Sequence, residues 1–455
     1  MFLFSLLVCL TATAADWPQF RGPGGAGVAD GKPLPVKFGP AESAWKAKVP
    51  FGQSSPIVAG GKVVVTASEG KALLTIAFDA GTGRELWRRE LPRRNVHEIY
   101  KANDPASSTA ASDASAVYVF FPDFGMASYG LDGKERWRLP LGPFQNFYGI
   151  STSPVVAGNL VVLLCDETRG GFLMAVDKNT GKQRWRTARK EHKEGWGVPL
   201  VHGDQVITIG STRLDSYYLA TGELKWWLPI SSSGGMGTPL VNGDRVVVST
   251  LGSNEPWLPT FAAVLEKTDK NKDGKISVVE SKTEKDWEEH FGWVDRNWDG
   301  QIEAAEWDEA RTLGMGPYGA ISVRMDGKGK LEPESVDWRV QKNIPYIPTP
   351  LLYGGVYYLV KSGGIVTALD PATGKVLKQG RSQDALGEYY ASPVAGDGKV
   401  YMVSEEGKLS VLKAGAEWEV LAVNDLGEQV FASPAIGDGR LFVRTRGTLY
   451  CFSGK

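Results

Sequence analysis

The feature that most constrains the fold of this chain is its self-similarity. Ala77-Phe-Asp79-Ala-Gly-Thr82-Gly83-Arg-Glu-Leu-Trp87 returns as Ala175-Val-Asp177-Lys-Asn-Thr180-Gly181-Lys-Gln-Arg-Trp185, and weaker copies end at Trp137, Trp226, Trp338, Leu377 and Trp418. A period of about 40 residues is the signature of propellers and solenoids, in which each unit buries its apolar face only against its neighbours. Asp and Thr-Gly within the unit predict a tight hairpin between two strands, and the Trp is expected to cover the adjoining sheet. A second marker precedes the β-rich runs: Ser55-Pro56, Ser153-Pro154, Thr238-Pro239, Thr349-Pro350, Ser392-Pro393 and Ser433-Pro434, with Ser107-Ser-Thr109 and Val198-Pro199 in the two gaps.

The runs that follow, such as Lys62-Val-Val-Val-Thr66, Leu160-Val-Val-Leu-Leu164 and Arg245-Val-Val-Val-Ser249, are short, β-branched and bounded by Gly/Asp turns. They read as strands buried on both faces. The expected fold is therefore all-β, an eight-bladed propeller of four-stranded blades. Its last copy, Ser433 to Phe452, supplies three strands only, and Ala44-Trp45-Lys-Ala-Lys-Val49 is expected to add the fourth and close the ring. The interval from Trp226 to Trp338 is far longer than the others. This places an insertion over residues 253–318, inside the fifth blade, so that 16–252 and 319–455 form the propeller. An insertion in a surface loop costs little, because closure entropy grows only logarithmically with loop length.

The insertion holds two adjacent twelve-residue stretches with the calcium-loop pattern of the EF-hand, starting at Asp269 and Asp295. Calcium takes six to eight oxygens, supplied from loop positions 1, 3, 5, 7, 9 and 12. In the first loop these are Asp269, Asn271, Asp273, the Lys275 carbonyl, Ser277 and a bidentate Glu280. In the second they are Asp295, Asn297, Asp299, the Gln301 carbonyl, Glu303 and Glu306. Gly274 and Gly300 stand where the loop must turn with φ > 0, and Ile276 and Ile302 where paired loops share a short bridge. Phe261, Val264 and Leu265, then Trp287, Phe291 and Val294, then Trp307, Ala310 and Leu313 recur at helical spacing around the loops. An acidic, Asn/Gly-rich turn can match one loop by chance, but two adjacent full matches predict two calcium ions. The 14 residues from Ser281 to Val294 suggest a compact, permanently paired unit decorating a rigid disc.

Fifty-one basic and 52 acidic residues leave a formal charge of -1, with no basic run, which argues against a nucleic-acid or anionic-membrane partner. Residues 1–15 form an apolar run ending in small residues and read as a secretory signal, so an exported, periplasmic or extracellular protein is expected. Cys9 lies in that signal, in a poor lipoprotein box. Cys165 and Cys451 fall in non-adjacent blades, too far apart to bridge, and are expected as buried thiols. Nothing in the sequence calls for a second copy, and a monomer is expected.

The Ala-x-Asp-x-x-Thr-Gly-x-x-x-Trp unit resembles the tryptophan-docking motif of the PQQ-repeat propellers, a superfamily that includes quinoprotein alcohol dehydrogenases and BamB-type outer-membrane assembly factors. Asp16-Trp-Pro-Gln-Phe-Arg-Gly-Pro23, Phe120-Phe-Pro-Asp-Phe-Gly125 and Cys165-Asp-Glu167 look like patterns of its exported members, without a role that follows from them. The resemblance to the dehydrogenases implies a bound quinone, a catalytic Asp, a calcium site against the cofactor, a Trp floor and typically adjacent cysteines. No Cys-Cys pair exists here, which argues against PQQ. A BamB-type role implies binding to a membrane-assembly complex.

Catalytic constellations are thin. His97, His192, His202 and His290 have no metal-ligand spacing and are read as surface hydrogen-bonding residues. The loop from Arg93 to Asp104 is the richest polar connection, and Tyr148, Arg169 and Trp196 are placed between strands where they can line a central funnel. Ser231 to Gly237 lacks the Lys-Ser/Thr of a phosphate loop and is read as a blade turn. The expectation is a calcium-binding scaffold for a protein or small ligand, without catalysis.

Overall fold

The computed structural model describes residues 16–29, 31–94, 96, 100, 103–168, 170–232, 236–282 and 290–454. The expected signal, Trp287, His97 and Arg169 lie outside them. The chain forms eight antiparallel sheets arranged as an all-β propeller. Blade one consists of Ile57–Ala59, Lys62–Glu69, Ala72–Asp79 and Glu85–Pro92, paired in sequence order, and every later blade repeats this meander. The second and third strands of each blade are almost wholly buried, as the unbroken Val/Leu/Ile runs require.

The ring closes as the sequence implies. Trp45–Lys48 pairs antiparallel with Thr448–Ser453, Trp45 opposite Cys451, so the first strand in the chain completes the last blade. Cys451 and Cys165 are buried and unpaired, in blades eight and three.

The repeat motif works by one contact made again and again. Trp87 donates its indole N–H to Leu131 O at 3.0 Å, Trp137 to Lys178 O at 2.9 Å, Trp185 to Leu219 O at 2.9 Å and Trp45 to Ala80 O at 3.0 Å, each in the turn of the next blade. Beneath each ring lies a glycine of that turn. A Cβ on Gly181 (φ +69°) would stand 2.7 Å from the Trp137 ring, and one on Gly83 2.5 Å from Trp45. Only glycine satisfies both the backbone and the ring.

Three copies depart from this pattern. Trp226 bonds Gln205 Oε1 within its own blade, because the turn of blade five is replaced by Gly329–Lys330, which joins blade four as a fifth, parallel strand. Leu377 is half-buried. Trp418 faces backward: it packs in the core with Leu351, Tyr358 and Val360 of blade six and lies against Gly380, so the adjoining sheet that it covers is the preceding one.

The Ser/Thr-Pro markers form a belt around the axis. Ser55 N–H donates to Thr109 Oγ1 (2.9 Å), Thr109 to Ser153 Oγ (3.0 Å), Thr238 to Thr349 Oγ1 (3.1 Å), Thr349 to Ser392 Oγ (2.9 Å), Ser392 to Ser433 Oγ (2.8 Å) and Ser433 back to Ser55 Oγ (3.0 Å). Val198 has no hydroxyl and interrupts the belt, and the Thr238 hydroxyl beside it is buried without a partner.

The segment from Asp16 to Phe38 crosses the ring from blade one to blade seven. Trp17 bridges Val58, Ser112 N–H donates to Pro18 O, and Val28 bridges Ala395. Arg21 holds this crossing: fully buried, it donates to the carbonyls of Gly25, Ala26, Thr349, Pro350 and Pro393. Five N–H donors meet five carbonyls with no carboxylate, a use of the rigid guanidinium fork that a Lys cannot reproduce. The Trp-Pro-Gln-Phe-Arg-Gly stretch thus acquires a structural role that its sequence did not declare.

Between Arg245–Thr250 and Gly319–Arg324 the chain leaves blade five and returns. This excursion contains the short helices Phe261–Thr268, Val278–Ser281, Phe291–Val294 and Ala304–Thr312, around their own core of Phe261, Val264, Ile276, Phe291, Val294, Ile302, Trp307 and Ala310.

Candidate functional site

The loops that carry the belt enclose a cavity of about 500 Å³ on the ring axis. That lies within the roughly 300–1,000 Å³ of small-molecule sites. Phe20, carried by the crossing segment that Arg21 fastens, contributes to its lining alongside the belt residues Ser55, Thr109, Ser153, Val198, Thr238, Thr349, Ser392 and Ser433. Seven aromatic rings also line it, Tyr100, Tyr148, Trp196, Trp293, Tyr346, Tyr390 and Phe431, with the Gln53 and Asn103 amides, Glu194 and His290 among them.

These rings are held in place. Trp196 donates to Gly149 O at 2.5 Å, and Tyr148 O accepts from Asn103 Nδ2 at 2.5 Å. Tyr148 stands edge-on to Trp196 with centroids 5.7 Å apart and to Tyr100 at 5.3 Å. Burial, then neighbouring Tyr346 and Glu194, raises the Tyr148 phenol above its ordinary range, so it is a neutral O–H at physiological pH. Tyr148 and Trp196 thus stand in the funnel as expected, and Met236 from the Ser231–Gly237 segment joins them. Residues 233–235 of that segment lie outside the described residues.

The helical excursion is part of this cavity, which corrects the picture of a module that merely decorates the disc. His290, Trp293 and Leu313 line the wall, and Gly292 faces Phe147 so closely that a Cβ would come within 3.0 Å of it. Glu194 makes the joint. It accepts from the Trp293 indole at 3.2 Å and pairs with Arg296, the two side chains being 5% and 7% exposed. Arg296 also lies 5.3 Å from the Trp293 ring, and its Nε and Nη2 have no partner.

Behind Glu194 lies a fully buried charge network. Arg189 bridges Asp166 (2.7 and 2.9 Å) and Asp215 (2.8 Å), and His192 Nε2 lies 2.8 Å from Asp215. His192 has no exposed surface and packs on Gly210, so the reading of it as a surface residue is overturned. Burial opposes the Asp215 charge, but the His192 hydrogen bond and the Arg189, His192 and Arg213 charges outweigh it and hold its carboxyl below the usual range. The network fastens the 189–197 loop, from which Glu194 and Trp196 project. His202 is exposed, and His290 lines the cavity.

The two acidic loops adopt one conformation twice. Lys272 and Trp298 both have φ +61°, and Gly274 and Gly300 have +81° and +82°. Asp269 accepts from the N–H groups of Lys272, Asp273 and Gly274, and Asp295 from those of Asp299 and Gly300. Glu280 folds back onto Lys270, Asn271 and Ser277, as Glu306 does onto Arg296, Asn297 and Glu303. Asn271 and Asn297 accept from Asp273 and Asp299, whose own carboxylates accept from Lys275 and Gln301. Ile276 pairs with Ile302, and the Lys275 and Glu303 side chains form an ion pair. Among the described residues no three His, Cys, Asp or Glu side chains already stand grouped to hold a metal ion.

A family model described as outer membrane protein assembly factor BamB matches residues 28–169 and 169–455. The chain belongs to this family of repeat propellers. No curated protein sequence matches it. Among solved structures, the BamB family is represented by BamB from Moraxella catarrhalis, 11% identical, covering 90% of this chain and 99% of that one at a TM-score of 0.56. A europium-containing methanol dehydrogenase is 10% identical, with 96% and 98% covered and a TM-score of 0.62. The quinohemoprotein alcohol dehydrogenase of Comamonas testosteroni is 14% identical, with 97% and 81% covered and a TM-score of 0.59. At such identities the likeness is one of fold. Among the described residues no helix is long and apolar enough to cross a membrane.

The quinone of such dehydrogenases is a tricarboxylate, and the described lining of the funnel offers it no cationic partner. No described Lys or Arg lines the wall, and its one described carboxylate, Glu194, would repel the ligand. Desolvating three carboxylates without cationic partners is strongly unfavourable.

Proposed function

We propose that this chain is an exported propeller whose axial funnel binds a ligand without transforming it, and whose helical excursion is an EF-hand pair holding two calcium ions. The observation that carries the first part is the funnel lining. It is dominated by fixed aromatic rings and neutral hydroxyls, with the Gln53 and Asn103 amides and His290 among them, and its one described carboxylate is engaged by Arg296 and Trp293 rather than free to act as a base. The calcium reading is supported by the donor set, by two loops of identical backbone conformation, and by glycines at the two positions of sharp turn. Asp269, Asn271, Asp273, Lys275, Ser277 and Glu280 would hold one ion, and Asp295, Asn297, Asp299, Gln301, Glu303 and Glu306 the other. The apolar residues 1–15 support export.

Native mass spectrometry of protein purified from the exported fraction of its own host, before and after chelation, tests the reading. Two chelatable calcium ions and an organic mass other than a quinone are expected. A stoichiometric quinone, or quinone-dependent dye reduction with alcohols or sugars, would overturn it. The family match favours a second reading, assembly of outer-membrane proteins, which predicts co-purification with a membrane assembly complex.

A further inference from the structure

Resting on the reading of the funnel as a ligand site, we propose that the ligand is a neutral saccharide, seated with its ring against Trp196 and Trp293 and its hydroxyls toward the belt. The argument is one of complementarity. A pyranose has C–H faces that suit indole and phenol rings, and a rim of hydroxyls that both donate and accept. The funnel offers the same two chemistries.

The belt supplies the polar half. The hydroxyl oxygens of Ser55, Thr109, Ser153, Thr349, Ser392 and Ser433 each accept one backbone N–H, which leaves the hydroxyl hydrogen available to donate. Thr238 goes further. No N–H from Val198 reaches its hydroxyl as the N–H groups of the other markers reach theirs, and it is buried in the lining with no partner at all. An unpartnered buried hydroxyl has lost its water without compensation, and a ligand hydroxyl can supply the missing hydrogen bond.

The alternatives are disfavoured by the same lining. A hydrocarbon ligand would cover these hydroxyls without satisfying them. An anion meets Glu194 and no described Lys or Arg, and Arg296 balances the Glu194 charge that would attract a cationic ligand. Polar, uncharged and ring-bearing is what remains. Because Trp293 belongs to the helical excursion, that segment completes the site.

The test uses the full mature chain with calcium present. Saturation-transfer NMR and calorimetry are run with glucose, galactose, mannose, N-acetylglucosamine, cellobiose, maltose and chitobiose at millimolar concentration, with galacturonate and pyrroloquinoline quinone as charged controls. At least one neutral sugar should bind, with saturation passing from protein aromatic protons to its ring C–H protons. Trp196→Ala should weaken that sugar roughly tenfold or more, and Thr238→Val several-fold. Tyr346→Ala, at the half-exposed rim, removes a wall ring at a site where folding is not at stake and should also weaken it. The proposal is overturned if no neutral sugar binds, if only the charged controls bind, or if binding survives all three substitutions unchanged. A recovered organic mass that is neither sugar nor quinone overturns the saccharide and leaves the scaffold reading standing. A recovered quinone overturns both.

Discussion

Glu194→Gln should release the helical excursion from the propeller while leaving the blades folded. Glu194 and Arg296 are 5% and 7% exposed, and their pair is the polar joint between the 189–197 loop and the start of the second acidic loop. Deleting one partner of a buried ion pair costs about 3–5 kcal/mol, because the other charge stays behind without compensation. Arg296 is badly placed to recover, since its Nε and Nη2 already lack partners. If the whole cost falls on docking, the ratio of docked to undocked segment drops by roughly 10² to 4 × 10³, at 1.4 kcal/mol per factor of ten. Arg296→Met strands Glu194 in turn, but the double variant strands neither charge and keeps the stem packing, so it should lie closer to the wild type than either single variant. Hydrogen exchange read by mass spectrometry is the assay. Protection should fall between Phe291 and Leu313 in both single variants, recover in the double, and stay constant in the strands of blades one to three. Additive effects, or a coupling energy below about 0.5 kcal/mol, would refute the joint.

The remaining predictions concern separate parts of the molecule. Glu306→Gln should abolish terbium luminescence sensitised through Trp298, which lies in the second loop, whereas Glu280→Gln should spare it; each should weaken calcium at its own loop at least about tenfold, or 1.4 kcal/mol, with the propeller's thermal transition unchanged. Gly181→Ala forces a Cβ to 2.7 Å from Trp137 at φ +69°, and urea unfolding should show a loss of about 2–4 kcal/mol from strain and overpacking together. Asp215 has a carboxyl held below its unfolded value near about 3.9, so its stabilisation is complete above that pH and is lost as pH falls through the folded value; Asp215→Asn should flatten the acid limb of a near-UV dichroism titration. Burial pushes the Cys165 thiol well above its ordinary range and that of Cys451 up to about 12, so neither should react with a thiol reagent until the protein unfolds.

How far the sequence reached differs from one part of the molecule to another. Thr-Gly and Trp recur within a few residues of each other, and a turn with φ > 0 beneath an indole is a local demand that glycine alone meets, so the blades could be counted before they were seen. Trp45 could likewise be assigned to the closing strand, because a three-stranded last blade needs a fourth. The copies that depart from the common contact are those whose partner is set by the tertiary structure. Trp418 keeps its place in the repeat yet turns back to blade six, and Trp226 bonds Gln205 because blade five has no Thr-Gly turn to receive it. His192 carried no mark of burial, since Asp215 and Gly210, which enclose it, come from blade four, further along the chain.

The sequence by itself determined the repeat, the number of blades, the manner of closure and the two acidic loops, each of which is written in contiguous residues with a fixed spacing. The tertiary structure alone decided what the funnel is. Its belt takes one residue from each of eight blades, Phe20 comes from a segment held by a buried Arg21, and Trp293 comes from an excursion about a hundred residues beyond the Glu194 it meets. The physical reason is range. Backbone geometry and turn chemistry act over a few residues, whereas a site on the axis of a ring exists only once the ring has closed.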